Sequence, residues 1–332
     1  MQPSVQLKGW NVDALSASSD GSLLIAGLSN FIGRHWTGAV AVISADAAAN
    51  TLQLRELKEL RAGVPAVALL PEMDQFTGRR VVASGDDSGS VDLWYLSGGS
   101  EGALLEHSQA RVLHDAAVTA LAPGPAGNAL ASASADGTLR LWETSSLLTC
   151  TAQLGSGGSG TALSAVAWAG HALVAAAGDA GISLWDVRQS GAAAPAAAAA
   201  LGAWALSLAA HTNDSGQQLL VAGDALGQVS VFDARSLAQP LQQRALHGDA
   251  VHAVAAATAP SVNGSKHVAT GSDDGSIQLL KVADLAGSCQ LAPATKDGEA
   301  PCYVRALAWS GSEGEQRLFR GGWDQTVSLA LH

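Results

Sequence analysis

Short runs in which apolar and polar residues alternate recur along the chain, separated by Gly, Asp and Ser. The clearest example is Ala129–Glu143, ALASASADGTLRLWE, in which a small-residue run, an Asp-Gly turn and an alternating run ending in Trp follow one another. Alternation with a period of two predicts half-buried β-strands, and Asp-Gly supplies the positive φ angles of a tight hairpin. The pattern therefore predicts an all-β protein.

The same plan occurs seven times. Further copies begin at Val81, Leu173, Leu219, His267 and Leu318, and a divergent copy with an insertion begins at Ser18. The residues aligned with the final Trp of each copy are Ile43, Trp94, Trp142, Trp185, Phe232, Leu280 and Ala330. Their spacing, from 43 to 51 residues, is the period of WD repeats with short loop insertions.

One such unit of strands cannot cover both of its faces, whereas units stacked radially cover each other. We therefore predict a seven-bladed WD-repeat β-propeller that uses residues 1–332 as a single domain. The last copy ends at His332, directly after its third strand. We expect a strand at about residues 4–8 to complete that blade and to remove the free edge.

Two repeats carry residue types that also form hydrolase triads. They are His114, Ser132 or Ser134, Asp136 and Trp142 in one repeat, and His247, Thr270 or Ser272, and Asp274 in another, where Leu280 replaces the Trp. In a WD repeat these types form a buried ladder of hydrogen bonds, and no G-x-S-x-G nucleophile turn accompanies them. We expect a structural role, and the sequence does not choose between the two hydroxyls of each strand.

The charge and the cysteine content argue against several classes of function and site. With 18 Lys and Arg against 29 Asp and Glu, the net charge is −11, which argues against a diffuse basic surface for nucleic acid and favours cationic partners. Cys150, Cys289 and Cys302 are odd in number and form no C-x-x-C pair, so neither a disulfide framework nor a zinc site is expected.

No chemistry of an enzyme stands out elsewhere. No phosphate-binding loop or metal-ligand spacing is found, and we expect neither an enzyme nor a protein with a bound cofactor or metal. The first residues contain no signal-like apolar region, and no segment has the length and composition of a membrane span. The expected location is the cytoplasm and the nucleus, without membrane contact.

Three stretches go beyond generic repeats. Residues 19–43, SDGSLLIAGLSNFIGRHWTGAVAVI, resemble the first blade of the methylosome WD-repeat subunit family, also called the methylosome protein 50 family. AGVPAVALL from Ala62, followed by VVASGDDSGSVDLWYL, is similar to its second blade, and YVRALAWS with GGWDQTVSLALH, from Tyr303 and Gly321, to its closing blade. The GR-x-W arrangement is the most specific part of the resemblance.

The resemblance implies a non-catalytic partner of the type II protein arginine methyltransferase, the enzyme that makes symmetric dimethylarginine. Members of the family hold the N-terminal barrel of that enzyme in a hetero-oligomer and help to present Arg/Gly-rich cationic substrates such as Sm proteins and histone tails. The methyl donor binds the enzyme, so no cofactor is implied for this chain. The charge of −11 is compatible with such substrates.

The insertion at residues 29–38 is the expected partner site. We expect it to interrupt the hairpin of a standard repeat and to present Phe31, Arg34, His35 and Trp36, a mixture of aromatic residues and Arg that is typical of interface hot spots. Trp36 is the predicted anchor on the methyltransferase. The alternative is that Trp36 folds back and covers its own blade.

Two other functions remain open at this point. Trp185-Asp186-Val187-Arg188 matches the W-D-x-R signature of propellers that bind the adaptor of cullin-type ubiquitin ligases, and Phe232-Asp233-Ala234-Arg235 is a degenerate second copy. The chain could thus be a ligase substrate receptor that binds through Trp185, Asp186 and Arg188. A purely architectural WD-repeat scaffold is the other alternative.

Overall fold

The computed structural model describes residues 2–32, 35–73, 78–98, 104–125, 127, 129–144, 148–155, 162–189, 194–213, 215–257, 267–282, 285, 289–291, 302–311 and 316–331. These residues form 28 β-strands. Within them no helix is present, and so none that is long and apolar enough to cross a membrane. The all-β class predicted from the alternating pattern is confirmed.

The first half of the chain contains 14 strands. They are β1 (Ser4–Gln6), β2 (Asn11–Ala17), β3 (Leu23–Ile32), β4 (His35–Asp46), β5 (Thr51–Leu60), β6 (Ala66–Met73), β7 (Arg80–Gly85), β8 (Ser90–Ser97), β9 (Leu104–Val112), β10 (Val118–Pro123), β11 (Ala129–Ser134), β12 (Leu139–Glu143), β13 (Thr149–Leu154) and β14 (Leu163–Trp168).

The second half contains the same number. They are β15 (Leu173–Gly178), β16 (Gly181–Asp186), β17 (Ala197–Ala199), β18 (Ala205–Thr212), β19 (Gln218–Asp224), β20 (Gln228–Asp233), β21 (Gln242–Ala245), β22 (Val251–Ala256), β23 (His267–Ser272), β24 (Ile277–Lys281), β25 (Cys289–Leu291), β26 (Val304–Ser310), β27 (Arg317–Gly322) and β28 (Thr326–Leu331).

The strands form seven four-stranded antiparallel sheets, which confirms the seven-bladed β-propeller. Blades 1 to 6 are β2–β5, β6–β9, β10–β13, β14–β17, β18–β21 and β22–β25. Blade 7 contains β26, β27 and β28 and takes its outer strand from the other end of the chain, because β1 pairs with β28 and places Val5 opposite Val327. The first strands of neighbouring blades contact each other around the whole ring.

The antiparallel order of the strands gives the ring two faces that carry different turns. The turn between the second and third strands of each blade, and the connection to the next blade, lie on one face, which we call the upper face. The other turns lie on the opposite, lower face. Every inner strand therefore begins at the upper face, and residues from all seven repeats meet there around the central channel.

Apolar contacts between blades hold the ring together. In the described part of the chain the buried apolar residues group into seven clusters, and each cluster joins two adjacent blades. One cluster joins blades 7 and 1 and includes Phe319 and Leu329 on one side and Leu24 and Ile43 on the other. The apolar faces that single sheets leave uncovered are thus buried by their neighbours.

A Gly-Val contact recurs between inner strands. A Cβ atom at Gly85, Gly223, Gly271 or Gly321 would lie 2.4 to 2.5 Å from a methyl carbon of a Val on the inner strand of the next blade. The Val residues are Val118, Val251, Val304 and Val12, and all four are fully buried. A larger residue at these glycines would push adjacent blades apart, which explains why glycine lies near the end of these four second strands.

Blade 3 contains a complete ladder of buried hydrogen bonds. The Trp142 indole N–H donates to Ser132 Oγ at 2.8 Å, and the Ser132 hydroxyl lies 2.7 Å from His114 Nε2. His114 Nδ1 lies 3.0 Å from an Asp136 carboxylate oxygen. Since Ser132 accepts from the indole, it donates to Nε2, so that the proton on Nδ1 points to Asp136. The ladder ties the strands to the upper-face turn.

Ser132, rather than Ser134, belongs to this ladder. Ser134 donates instead to the carbonyl oxygen of Ala116, at 3.1 Å. Thr138, which was not predicted from the sequence, also belongs to the ladder: its hydroxyl donates to Asp136 at 2.7 Å and lies 3.1 Å from His114 Nδ1. Burial lowers the pKa of His114 although Asp136 raises it, which favours the neutral ring that this chain of hydrogen bonds requires.

Blade 6 has a shorter version of the ladder. His247 Nε2 lies 2.8 Å from the Thr270 hydroxyl, its Nδ1 lies 2.8 Å from Ser276, and Ser276 donates to Asp274 at 2.6 Å. Ser272 bonds elsewhere, to the carbonyl oxygen of Asp249. Leu280 is fully buried in the place of the Trp. The Thr270 hydroxyl therefore forms a hydrogen bond with one ring nitrogen, whereas the Ser132 hydroxyl in blade 3 forms hydrogen bonds with a ring nitrogen and with an indole.

Blade 7 fills the same position with other chemistry. Arg320 is buried at the site that corresponds to Ser132, and it donates to Cys302 Sγ at 2.6 Å, to Ser328 Oγ at 2.9 Å and to an Asp324 carboxylate oxygen at 3.0 Å. Burial raises the pKa of the Cys302 thiol to about 11. This cysteine is thus a buried acceptor for Arg320 and not a reactive thiolate.

We expect the two ladders to respond differently to loss of the hydroxyl. Ser132→Ala leaves two buried partners unsatisfied and should lower the free energy of unfolding by about 2–4 kcal/mol, whereas Thr270→Val leaves one and should lower it by about 1–3 kcal/mol. Denaturant unfolding followed by circular dichroism measures both. Equal effects of the two substitutions would contradict the assigned hydrogen bonds.

The buried histidines should make stability depend on pH. Burial lowers the pKa of His114 and of His247 below the ordinary value of 6.5. Below that value the unfolded chain takes up protons that the folded chain does not, so the free energy of unfolding should fall between pH 7 and pH 5, by up to about 1.4 kcal/mol per pH unit for each histidine. Unfolding midpoints at several pH values measure this slope. His114→Gln should flatten it, and the exposed His171→Gln should not; equal slopes would contradict the assignment.

Candidate functional site

The longest hairpin of the propeller, β3 with β4, corrects the predicted loop at residues 29–38. Ten and twelve residues long, these strands pair without interruption as far as Ile32 opposite His35. The insertion therefore lengthens the hairpin instead of interrupting it, because its β-branched and aromatic residues favour paired strands. Arg34 lies outside the described residues, and His35 is placed only as the first residue of β4.

Phe31 and Trp36 form an aromatic pair near the tip of this hairpin. The two residues lie opposite each other across the strands, their ring centroids are 5.9 Å apart and their planes are tilted by 46°. Phe31 is 61% exposed and Trp36 is 45% exposed. We call this pair the docking corner. Two large aromatic side chains, adjacent and only half covered, form an apolar surface on the upper face.

Trp36 does not fold back over its own blade, which was the alternative raised by the sequence. It extends to blade 2, where its indole N–H donates to the Asp87 carboxylate in the turn between β7 and β8. Gly63 makes this possible, since a Cβ atom there would lie 2.2 Å from Trp36 Nε1 and 2.3 Å from Asp87 Oδ2. The indole is thus held in one orientation and keeps an exposed face.

The upper face carries most of the exposed apolar surface. Eleven large apolar side chains are exposed in the described part of the chain, and seven of them lie in upper-face turns or connections, or near the tip of the long hairpin. They are Phe31, Trp36, Leu113, Trp204, Leu226, Tyr303 and Trp323. Because exposed large apolar side chains are usually few and scattered, this concentration distinguishes the upper face from the lower face.

The central channel opens at this face into a cavity of about 360 Å³. Six inner strands have a register shift near their first residues, and the residue skipped by the pairing lines the cavity. These residues are Asp13, Thr119, Ser164, Leu206, His252 and Arg305. The shift directs the skipped side chain into the channel mouth. The recurring pattern V-D-A-L, V-T-A-L, V-H-A-V and V-R-A-L is the sequence signal for this ring, which was not predicted from the sequence.

The positive charge at the mouth is already paired. Arg305 contacts Asp273 through two nitrogens, each at 2.9 Å, and its guanidinium lies 4.1 Å from the ring centroid of Trp323. Burial, followed by the neighbouring Arg305, lowers the pKa of His252 to about 4, so this ring is neutral at pH 7. Trp323 in turn donates its indole N–H to Asp13 at 2.9 Å.

The two W-D-x-R motifs lie on the lower face, at the ends of β16 and β20. Arg188 contacts Asp186 through Nε at 2.8 Å and Nη2 at 2.6 Å, and Arg235 contacts Asp233 in the same way at 3.2 and 3.1 Å. Both arginines are about three-quarters exposed. Trp185 is buried, with its indole N–H donating to Ser183 at 3.0 Å. The structure therefore separates these motifs from the docking corner by the thickness of the ring.

The triad-like residues offer no site for a reaction. His114 and Ser132 are buried, and every polar atom of the blade 3 ladder already has a partner within it. Over the described ranges, no group of three or more His, Cys, Asp or Glu side chains is arranged to hold a metal ion. What the molecule presents to its surroundings is an aromatic and acidic upper face.

Comparison with known proteins agrees with this architecture. Residues 108–143 match the family described as "WD40: WD domain, G-beta repeat". The matched segment runs from within β9 to the end of β12 and includes His114, Ser132, Asp136 and Trp142. A search of curated proteins found no match. Proteins of the WD-repeat class are generally non-catalytic and bind protein partners. The match and the seven blades together support a WD-repeat protein that serves as a protein-interaction scaffold.

Proposed function

We propose that this propeller is the non-catalytic scaffold and substrate-presenting subunit of a type II, symmetric protein arginine methyltransferase complex, and that it binds the enzyme through the docking corner. The observation that carries the proposal is the exposed Phe31–Trp36 pair near the tip of the lengthened hairpin. The same segment carries the resemblance to the methylosome WD-repeat subunits.

The docking corner has the physical properties of a binding hot spot. Aromatic residues dominate the energy of most interfaces, and truncation of such an anchor typically costs about 2 kcal/mol or more. Trp36 is held before binding by Asp87 and by the paired strands, so little conformational entropy remains to be lost. Phe31 widens the apolar area beside it.

The charge of the chain supports a role in presenting substrates. A net charge of −11 attracts Arg/Gly-rich segments such as those of Sm proteins and histone tails over distances of about a Debye length. The upper face adds the carboxylates of Asp13 and Asp87 at the channel mouth. The propeller would thus raise the local concentration of cationic substrates beside an enzyme that performs the chemistry.

The second candidate is a ligase substrate receptor, which is favoured by the two exposed arginines of the W-D-x-R motifs on the lower face. Arg188 and Arg235 lie in adjacent blades, adopt the same paired geometry and are largely exposed. An adaptor that binds W-D-x-R motifs would have to contact these guanidinium groups while they are held by Asp186 and Asp233. The two candidates use opposite faces, so single substitutions separate them.

Removal of the indole should weaken binding of the methyltransferase. Trp36→Ala deletes the central anchor, and we expect the dissociation constant measured by biolayer interferometry to rise about 30-fold or more. Leu241→Ala, which removes an exposed apolar side chain from the lower face, is the matched control and should change it less than twofold. An unchanged affinity of a normally folded Trp36→Ala protein would rule out the docking corner.

Gly63→Ala tests the orientation of the indole while keeping the indole itself. The new methyl group would overlap Trp36 Nε1 and Asp87 Oδ2, so we expect Trp36 to leave its position and the affinity for the methyltransferase to fall about tenfold. Near-ultraviolet circular dichroism reports the displaced indole. Full affinity with a changed spectrum would show that the contact with Asp87 is irrelevant to binding.

The lower face is tested by co-purification from cell extract. If the scaffold proposal holds, Arg188→Ala combined with Arg235→Ala should leave the bound methyltransferase unchanged, since these residues are remote from the docking corner. Recovery of a ligase adaptor with the unaltered chain, and its loss with this double variant, would favour the second candidate.

A further inference from the structure

A second cavity, of about 210 Å³, lies between blades 3 and 4 at the upper face, and we call it the interblade pocket. Trp185 of β16 forms part of its wall, and the turns after β11 and β15 border it through Gly137 and Asp179. Neither Phe31 nor Trp36 of the docking corner lines it. Because protein interiors are close-packed and have few voids larger than a water molecule, a cavity of this size between two blades requires an explanation.

The explanation is a buried histidine that blade 3 has and blade 4 does not. In blade 3 the ring of His114 is hydrogen-bonded to Ser132 and to Asp136, which lies in the turn after β11. No histidine occurs in the sequence between His114 and His171, so blade 4 has no such residue before its inner strand, β14. The space that the imidazole fills in blade 3 therefore lacks that ring in blade 4.

The strand residues around the pocket show the same replacement of polar groups. Trp185 corresponds to Trp142, since each pairs with the second residue of the second strand of its blade. Ala176, two residues further along β15, therefore stands at the position of Ser132. The Trp185 indole N–H donates to Ser183 instead, at 3.0 Å. Blade 4 thus lacks both the ring and the hydroxyl of the ladder, and the wall of the pocket is more apolar for it.

One carboxylate remains at the entrance. Asp179 lies in the turn after β15, as Asp136 lies in the turn after β11, and it is exposed to solvent beside the pocket. In blade 3 the carboxylate of Asp136 lies 3.0 Å from the ring of His114. The blade 4 turn therefore keeps an acceptor at the rim of a space that has lost its aromatic occupant.

From these observations we infer that the interblade pocket binds the side chain of a phenylalanine of a partner protein, inserted from the upper face. The phenyl ring contacts the Trp185 indole and takes the place that an imidazole occupies in blade 3. It needs no hydrogen-bond partner against the apolar wall, whereas the hydroxyl of a tyrosine would lose its water there. A backbone N–H of the same segment donates to the Asp179 carboxylate at the entrance.

The size and position of the pocket support this occupant. Apolar cavities of this size bind single aromatic rings, and one aromatic anchor in a pocket is a common feature of protein interfaces. Leu163 lines both this pocket and the cavity at the channel mouth, so the site is continuous with the apolar surface of the upper face. The inference does not depend on the methyltransferase, because the docking corner lies in a different blade.

The test uses the full chain labelled with fluorotryptophan, whose fluorine NMR spectrum gives one signal for each of the nine indoles. Trp185→Phe assigns the signal of Trp185. On titration with N-acetylphenylalaninamide we expect a saturable shift of that signal, with half-saturation in the millimolar range that is typical of a ligand of this size. N-acetylalaninamide has the same backbone without the ring and should give no saturable shift.

Two substitutions on one outer segment test where the ligand binds. Ala198→Leu adds a side chain to a residue that lines the pocket, and we expect it to weaken binding of N-acetylphenylalaninamide about tenfold. Ala196→Leu makes the same change at an exposed residue that does not line the pocket, and it should change affinity less than twofold. Melting temperatures identify a variant that fails to fold, and Ala180→Leu, in the exposed turn that borders the pocket, provides a second way to fill it.

Three outcomes would overturn the inference. They are the absence of a saturable shift at Trp185, an equal shift with the alanine derivative, and unchanged affinity in both pocket-filling variants. Trp36→Ala separates this inference from the proposed function: it should lose the methyltransferase while binding N-acetylphenylalaninamide as the unaltered chain does.

Discussion

Burial of apolar surface between neighbouring blades is the interaction on which the rest of the molecule depends. Each sheet has two apolar faces, and only the sheets before and after it can cover them. The seven clusters that join adjacent blades therefore make each blade depend on the next. A row of such blades would leave both ends uncovered, and the pairing of β1 with β28 joins the two ends of the chain within one sheet.

The close approach of neighbouring blades limits which residue types can occupy the positions where their strands meet. The glycines near the ends of four second strands make room for a buried Val from the next blade, as Gly85 does for Val118. Polar ladders then fix the turns above these strands: His114 and Asp136 tie blade 3 to its upper-face turn, and His247 and Asp274 do the same in blade 6. A ring made rigid in this way can hold side chains from different repeats in a constant arrangement at the channel mouth.

The surface available to partners consists of side chains that are not needed to hold the ring together. The inner strands supply the core, whereas the upper-face turns and connections are free to vary, and most of the exposed aromatic residues lie there. The lengthened hairpin carries the Phe31–Trp36 pair, and the carboxylates of Asp13 and Asp87 line the channel mouth. The upper face thus combines exposed aromatic rings with carboxylates.

The strands, the number of blades and the types of residue in the ladders could be predicted from the sequence, because period-two alternation, Asp-Gly turns and the repeat spacing are local signals. The sequence did not distinguish Ser132 from Ser134, since both lie on one strand face and only the packed blade places one of them beside Trp142. The insertion at residues 29–38 was predicted to interrupt the hairpin of the first blade, whereas the paired strands show that it lengthens that hairpin. The direction of Trp36 follows only from the folded molecule, because Gly63 and Asp87 contact it once blades 1 and 2 have packed together. The ring of residues at the channel mouth does have a local signal, the recurring V-x-A-L pattern, but only the register shifts of the inner strands show that these side chains enter the channel.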